Sequence, residues 1–502
     1  MNCSHTQSKN QIGRQIFYIL LGTMLIAACS ITSAEHNLAT AIVLLLGAVG
    51  SYLFIVFAIA DRNWLDIRAV FSGVWMLTIG LAVLRLAYYQ RPWLTKTWLL
   101  MAAGYAMFEL GAGLGISFGL NKYESVARKF RDKTFGRFSF KLKESRYFAI
   151  CVTVTLIGLA SFLANVAIRG YVPCFNPDHA AYVNFYTKFH IFAVASTVVS
   201  GLCYYTIRTQ PISWWKKGIL WLCIFYTVIL FPILVVSRGT FVVAAMSLTV
   251  AVFYLNGRKL WVLLLCMAVI FGVYQFTSSL RDYTDAQMEV FFEPKEIIID
   301  GHKTHSDGNH KSPSDDFLKP GHTLDPESGM QEDDTAGQET FILSPKLSFL
   351  YSYLTVGHDN FDLAVEKSVD MTMGCRMLEP FNVILRIPAV RERVANGEYY
   401  QVNKYLNTNN ILGIFYYDFH SVGVIIFMFL WPILFGIMQS VYEKNRSIFA
   451  LMILGYAMAP VAFSFFTCWI CKFELWMFWG TILLMTLAAS IHMKKKSEIR
   501  GR

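Results

Sequence analysis

Charge is what this sequence has least of. Only 16% of its 502 residues are Asp, Glu, Lys or Arg, while 55% are hydrophobic; soluble domains carry about a quarter charged residues. That deficit excludes an ordinary soluble chain and points to an integral membrane protein. Other absences narrow the field. The opening "MNCSHTQSKNQIGRQIFYILLGTMLIAACS" is basic and then apolar but has no small-residue cleavage site, so it reads as a retained first span. The 10 cysteines follow no regular framework, and most fall in apolar stretches, where a thiol serves as a small apolar residue. Cys174 and Cys375 lie on the outer side, where an oxidising compartment permits pairing, and that question stays open. "CWIC" (Cys468–Cys471) has no βαβ context and is read as lying in a membrane segment, which favours packing over redox chemistry. No internal repeat is visible, which counts against transporters built from duplicated halves.

What the chain has instead is long apolar runs. Taking about 20 residues as the length that crosses a bilayer core, and admitting shorter runs, twelve transmembrane helices are expected. They are Ile16–Ala34, Thr40–Ala60, Ala69–Tyr88, Thr97–Leu120, Tyr147–Ile168, Phe189–Ile207, Gly218–Val236, Thr240–Leu255, Leu260–Thr277, Val422–Tyr442, Ser447–Phe466 and Leu475–Ile491. The fold class is therefore an all-α integral membrane protein. Placing the N-terminus inside puts more than half of the 44 Lys and Arg in the inner connections, as the positive-inside rule requires. Both termini are then cytoplasmic. The net charge of +10 is a topology signal with some attraction to anionic lipid, and nucleic-acid binding is not expected.

This divides the chain into helices 1–9 (residues 1–277), one long outer-face loop (278–421), helices 10–12 (422–491) and a basic cytoplasmic tail (492–502). Within the loop, residues 295–340 are polar and lack apolar periodicity, so a flexible insertion is expected. Their four histidines have no structural zinc spacing, and no metal site is assigned to them. From 341 to 421 aromatic and apolar residues return at helical spacing, predicting short helices packed on the outer ends of the bundle.

Polar residues inside or beside apolar runs need a reason. In "FPILVVSRGTFVVAAM", Arg238 stands at the outer end of the seventh span, where the chain turns at once into the eighth. An interfacial anchor is the plain reading. The short turn and a new helix start at Ser237-Arg238-Gly239 favour another, since a guanidinium beside a helix N-terminus suits a phosphate or pyrophosphate. Arg281, in "SSLRDY", leaves the membrane on the same face. Arg376, Arg386, Lys472 and Glu474 lie at that level too, and each also reads as an ordinary interfacial charge. Arg85 ends the third span, and Glu109 within the fourth reads either as functional or as the partner of an arginine on another helix. Gly111, Gly113, Gly115 and Gly119 read as close-packing positions. His358 and Asp359 offer a base and its orienter; the alternative is a helix start capped by Asp359 or Asn360. Asn407, Asp418 and His420 reach the membrane surface just before the tenth span.

Taken together, "SRG" between two outer-face helix ends, the long late loop with Tyr353 and Asn360, then Gly374, Asn407-Thr408 and "YYDFHSVGVIIFMFLWPILFG" resemble the O-antigen polymerase, or oligosaccharide repeat-unit polymerase, family of bacterial surface-polysaccharide biosynthesis. The residue-level likeness is confined to about Val235–Phe241 and Leu350–Gly436. The family commonly has Asp-x-Gly where this chain has Asp418-Phe419-His420, and the insertion at 295–340 is this chain's own. The resemblance implies a GT-C-like bundle in the bacterial cytoplasmic (inner) membrane, acting as a glycosyltransferase without a metal or other cofactor. Its donor would be a growing glycan on undecaprenyl pyrophosphate and its acceptor a lipid-linked repeat unit, with chain-length regulator and flippase proteins as partners. It implies catalytic roles for Arg238 and for a base among His358, Asp359, Asp418 and His420. Substrate binding would involve Gly239, Arg281, Tyr353, Asn360 and Asn407. An O-antigen ligase, a polysaccharide-precursor transporter or flippase, and a non-catalytic assembly scaffold are the alternatives.

Overall fold

The computed structural model describes residues 2–32, 38–87, 89–121, 138–140, 143–176, 185, 187–279, 298–300, 345–397, 399–402 and 408–493. Helices dominate. In chain order they are α1 (Asn2–Thr32), α2 (Leu38–Phe54, extended by a π turn Ile55–Ile59), α3 (Ile67–Val83), α4 (Thr95–Asn121) and α5 (Tyr147–Arg169). Next come α6 (His190–Thr209), α7 (Trp214–Leu234), α8 (Arg238–Leu255) and α9 (Leu260–Ser279). The remainder are α10 (Pro345–Lys367), α11 (Cys375–Leu385), α12 (Pro388–Ala395), α13 (Ile411–Asn445), α14 (Ile448–Ala462) and α15 (Phe473–Ser490).

Among the described residues, nine helices are long and apolar enough to cross a membrane, and Ile67–Val83, Leu260–Val273 and Ile448–Ala462 are shorter apolar helices. The chain is an all-α multi-pass membrane protein. Leucines, isoleucines and phenylalanines stand exposed along its helices, among them Leu20, Leu46, Leu156, Leu222, Leu264 and Leu484, as expected of surfaces whose solvent is hydrocarbon.

Helix ends follow local chemistry. Asp66 caps α3 by accepting from the Arg68 N–H at 3.0 Å, and Asn410 caps α13 by accepting from the Gly413 N–H at 2.9 Å. Gly170, at φ +79°, ends α5 in the left-handed conformation that glycine adopts without penalty.

The most extensive helix pair is α4 with α13. Gly111, Gly115 and Gly119, one turn apart, form its seam: a methyl group on any of them would run into Phe429 O, Ile433 O or Ser440 Oγ respectively. The backbones therefore approach closely, as small residues allow between membrane helices. Gly113 faces Gln15 instead, at ordinary contact distance.

One end of the bundle is tied together by connections far apart in sequence. Strand β1 (Phe138–Phe140) pairs antiparallel with β4 (Ile491–Met493). Lys444 Nζ donates to Leu120 O at 3.2 Å, Arg146 Nη1 to Ala488 O at 2.8 Å, and Gln210 Nε2 to Glu144 O at 3.1 Å. Arg258 is 3.8 Å from Glu443, and Asn63 Nδ2 donates to Glu443 Oε1 at 3.0 Å. Just inside this end Arg68 grips Asp66 through Nε and Nη2, both at 2.9 Å, and donates from Nη1 to Gln15 Oε1 at 2.8 Å. Gln15 Nε2 continues to Glu109 Oε2 at 3.3 Å, while Ser72 donates to Oε1 at 2.8 Å. Glu109 is thus joined to an arginine of another helix through one glutamine.

The opposite end carries α10, α11 and α12. Strand β2 (Ile298–Asp300) pairs with β3 (Tyr399–Gln401); the rest of the 295–340 insertion lies outside the described residues. Cys468–Cys471 forms a turn between α14 and α15, which corrects its placement within a membrane segment. Cys174 and Cys375 are free thiols.

Candidate active site

The "SRG" stretch folds as its residue types require. After α7 ends at Leu234, Val236 turns at φ +51° and Ser237 caps α8, its Oγ accepting from the Thr240 N–H at 3.3 Å and lying 2.9 Å from Thr240 Oγ1. Arg238 is the first residue of α8 and is half-buried; Gly239 follows it and is exposed. A methyl group on Gly239 would meet no atom within 4 Å, and its φ is not positive. The fold therefore gives no steric reason for glycine in this first turn, where it costs about 1 kcal/mol relative to alanine.

His358, Asp359 and Asn360 lie deep inside α10, which corrects the expectation of a helix start capped there. Asn410 Nδ2 donates to His358 Nδ1 at 3.1 Å, so Nε2 carries the proton and donates to Thr78 Oγ1 at 2.9 Å; Thr78 in turn donates to Trp75 O at 3.2 Å. Trp75 and Trp93 flank the ring at 5.3 and 5.8 Å. With every polar atom satisfied in an apolar shell, burial pushes the His358 pKa down to about 3 and the imidazole stays neutral.

Asp359 looks elsewhere. Its Oδ1 accepts from Trp93 Nε1 at 2.8 Å and its Oδ2 from Gln90 Nε2 at 3.2 Å, with burial raising the carboxyl to about 7. One helical turn on, Asp362 accepts from the Leu94 N–H at 2.9 Å, Thr97 Oγ1 at 2.6 Å and Arg91 Nη2 at 3.3 Å, and Glu366 pairs with Arg91. The acids at 359, 362 and 366 thus form one helical stripe that fastens the α3–α4 connection. His358 and Asp359 serve separate networks, which corrects the base-and-orienter pairing.

Asn360 holds a third segment, donating to Thr408 O at 2.6 Å and accepting from the Val402 N–H at 2.8 Å. Tyr353 is half-buried with its ring 5.3 Å from Phe466. Arg281 and Asn407 lie outside the described residues.

Asp418 lies at the start of α11, while His420 turns to the segment that follows α10. Fully buried, Asp418 accepts from the backbone N–H of Arg376 at 3.1 Å, that of Met377 at 2.9 Å, and the Thr372 hydroxyl. It caps α11 from another helix, placing negative charge where the helix dipole is positive. The α13 path breaks at Phe419 and His420, the latter at φ +50°, ψ −144°, a conformation essentially reserved for glycine. The kink needs a backbone freedom that glycine supplies without penalty, and here histidine adopts it. His420 Nε2–H donates to Val369 O at 2.6 Å and its ring stacks on Tyr416 at 5.1 Å. Gly374, at φ +83° and closely covered by the Phe419 ring, forms the other wall.

Arg376 lies in the same cluster, mostly buried, its guanidinium 5.0 Å over the Tyr399 ring and 4.6 Å over that of Tyr417. These tyrosines, Thr372, Gln90, Trp93 and Asn410 escaped sequence reasoning; only the acid spacing 359/362/366 was there to be read. Among the described residues, no group of three or more His, Cys, Asp or Glu side chains is placed to hold a metal ion. Chemically, the arrangement offers a guanidinium at a helix start with open space at the adjacent glycine, and a second guanidinium packed against a stacked pair of tyrosines. No family model, curated protein or solved structure matches the chain.

Proposed function

We propose that this protein is a polysaccharide polymerase of the O-antigen polymerase type, spanning the bacterial cytoplasmic membrane twelve times with both termini inside. The nine long and three shorter apolar helices support that count. The basic connections gathered at one end support the orientation, because cytoplasmic loops carry the excess of Lys and Arg.

The observation that carries the reading is the start of α8. Arg238 is half-buried at the first helical position, beside an exposed Gly239 that no internal contact requires. A planar guanidinium, helix-terminal N–H groups and a missing side chain together suit close approach by a pyrophosphate. In the proposed reaction, a hydroxyl oxygen of the acceptor repeat unit attacks the anomeric carbon of the donor glycan. The bond from that carbon to the pyrophosphate oxygen breaks, the leaving undecaprenyl pyrophosphate takes the electron pair, and the hydroxyl proton passes to a base. Charge develops on the leaving phosphate, so Arg238 acts there, where electrostatic stabilisation is usually the largest catalytic term. Asp418, Asp359 and His358 hold the surrounding elements through the contacts described above.

The test is surface-polysaccharide chain length in cells carrying Arg238→Ala or Arg238→Lys, with membrane abundance measured in parallel. At normal protein level, the alanine variant is expected to leave single repeat units, a loss of at least 100-fold in polymerisation, as for removal of one charge-stabilising donor. Full-length polymer from Arg238→Ala would overturn the reading.

A further inference from the structure

Outside that site, one pair of facing cysteines has no role in the proposed chemistry. Cys468 and Cys471 bracket a single 3₁₀ turn, Trp469–Cys471, in the connection from α14 to α15. The Cys471 N–H donates to Cys468 O at 3.0 Å, and in a 3₁₀ turn residues three apart eclipse one another. The two sulfurs are consequently 3.1 Å apart. Cys468 is buried and Cys471 is partly exposed. The turn is held from both sides: α11 packs against it, and Trp476 of α15 donates from Nε1 to Ile470 O at 2.9 Å. Both cysteines are therefore fixed facing each other, with one open to a reagent.

We propose that Cys468 and Cys471 are joined as a disulfide in the working protein, formed by thiol–disulfide exchange with a disulfide-bearing oxidant on the outer face. The placement of this face outside rests on the orientation given under Proposed function. The thiolate of the accessible Cys471 attacks one sulfur of the donor disulfide and releases the first donor thiol. Cys468, already in contact, then attacks the Cys471 sulfur and releases the second. The pair gives up two electrons and two protons, and the donor disulfide takes them up as two thiols. Partial exposure favours Cys471 as the first to react, although its contact with Cys468 and burial push its thiol up and slow the step; outer-face compartments keep such bonds oxidised. A bond closing so small a loop constrains the unfolded chain little, so its effect is local: it fixes the turn that supports α11, the helix capped by Asp418.

The experiment uses the full-length protein in membranes. Cells are quenched with acid, the protein is denatured and treated with N-ethylmaleimide without reductant, and the peptide containing 468–471 is weighed before and after reduction. The expected result is a peptide free of alkylation and lighter by two hydrogens, which takes two maleimides only after reduction. Two maleimides added without reductant would overturn the proposal. The orientation is tested separately with Asp370→Cys, an exposed position just past α10, probed by a membrane-impermeant maleimide on intact cells. Labelling there with a reduced 468–471 pair rejects the disulfide alone. Absence of labelling, in protein that is labelled once the membrane is opened, rejects the outer-face placement and with it the proposed route of oxidation.

Discussion

Arg68 and Arg238 both stand at the start of an apolar helix, yet the two regions around them are built on opposite principles. Arg68 is buried and spends three N–H groups on Asp66 and Gln15, within a lattice that ties α1, α3, α4 and α13 through Glu109, Ser72 and Gln439. Arg238 follows a capping serine, is half-buried, and has an exposed glycine beside it. The difference teaches that a buried charge enclosed by its own ion pair and amide contacts is structural. The start of α8 is a candidate for chemistry because the position next to its arginine carries no side chain and opens to the surroundings. The helix α10 belongs with Arg68: its acids at 359, 362 and 366 are absorbed in holding a loop.

The comparison breaks most forcefully at Arg68. Replacing it by alanine leaves Asp66 buried without its ion-pair partner, and loss of about 3–5 kcal/mol is expected. The readout is a large fall in melting temperature in detergent and in membrane abundance, whereas Arg238→Ala should reduce polymer length at normal abundance.

Next in size is a pH effect from Asp359. Its carboxyl is raised by burial from 3.8 to about 7, so between these values the unfolded state is ionised while the folded state holds its proton. Unfolding then releases a proton, and stability falls as pH rises through the window, by on the order of 4 kcal/mol in total. Asp359→Asn is expected to flatten that part of a melting-temperature profile; an unchanged slope would remove Asp359 as its source.

The glycines sharpen the contrast at smaller scale. Gly115→Ala forces a methyl group against the Ile433 carbonyl oxygen and is expected to cost about 2 kcal/mol in thermal unfolding. His420→Gly relieves a backbone conformation worth about 1–3 kcal/mol but loses the Val369 bond and the Tyr416 contact; a net gain of about 1 kcal/mol is expected. Gly239→Ala should raise stability by about 0.5–1 kcal/mol while shortening the polysaccharide. Unimpaired polymer from this variant would count against close ligand approach at the α8 start.

How much of this was legible beforehand differs by residue. The helices were readable because a bilayer demands apolar length, and the start of α8 because Ser-Arg-Gly is a local signal for a cap and a turn. The close-packing roles of Gly111, Gly115 and Gly119 were readable for the same local reason, their spacing of one turn. His358 and Asp359 were misread because adjacent residues on a helix point about 100° apart. Their neighbours, Thr78 and Asn410 in one case, Gln90 and Trp93 in the other, come from elements distant in sequence. Asp418 looked like a surface acid, but it caps a helix that begins 43 residues earlier in the chain at Cys375.

The sequence by itself determined that the protein is helical and lives in a membrane, and that Arg238 stands at a helix start, since these follow from local composition and short-range backbone chemistry. Only the tertiary structure decided which polar side chains are already satisfied. A hydrogen bond between partners hundreds of residues apart, such as Asp66 with Gln439 or His358 with Thr78, depends on how the helices pack, and no local pattern encodes it.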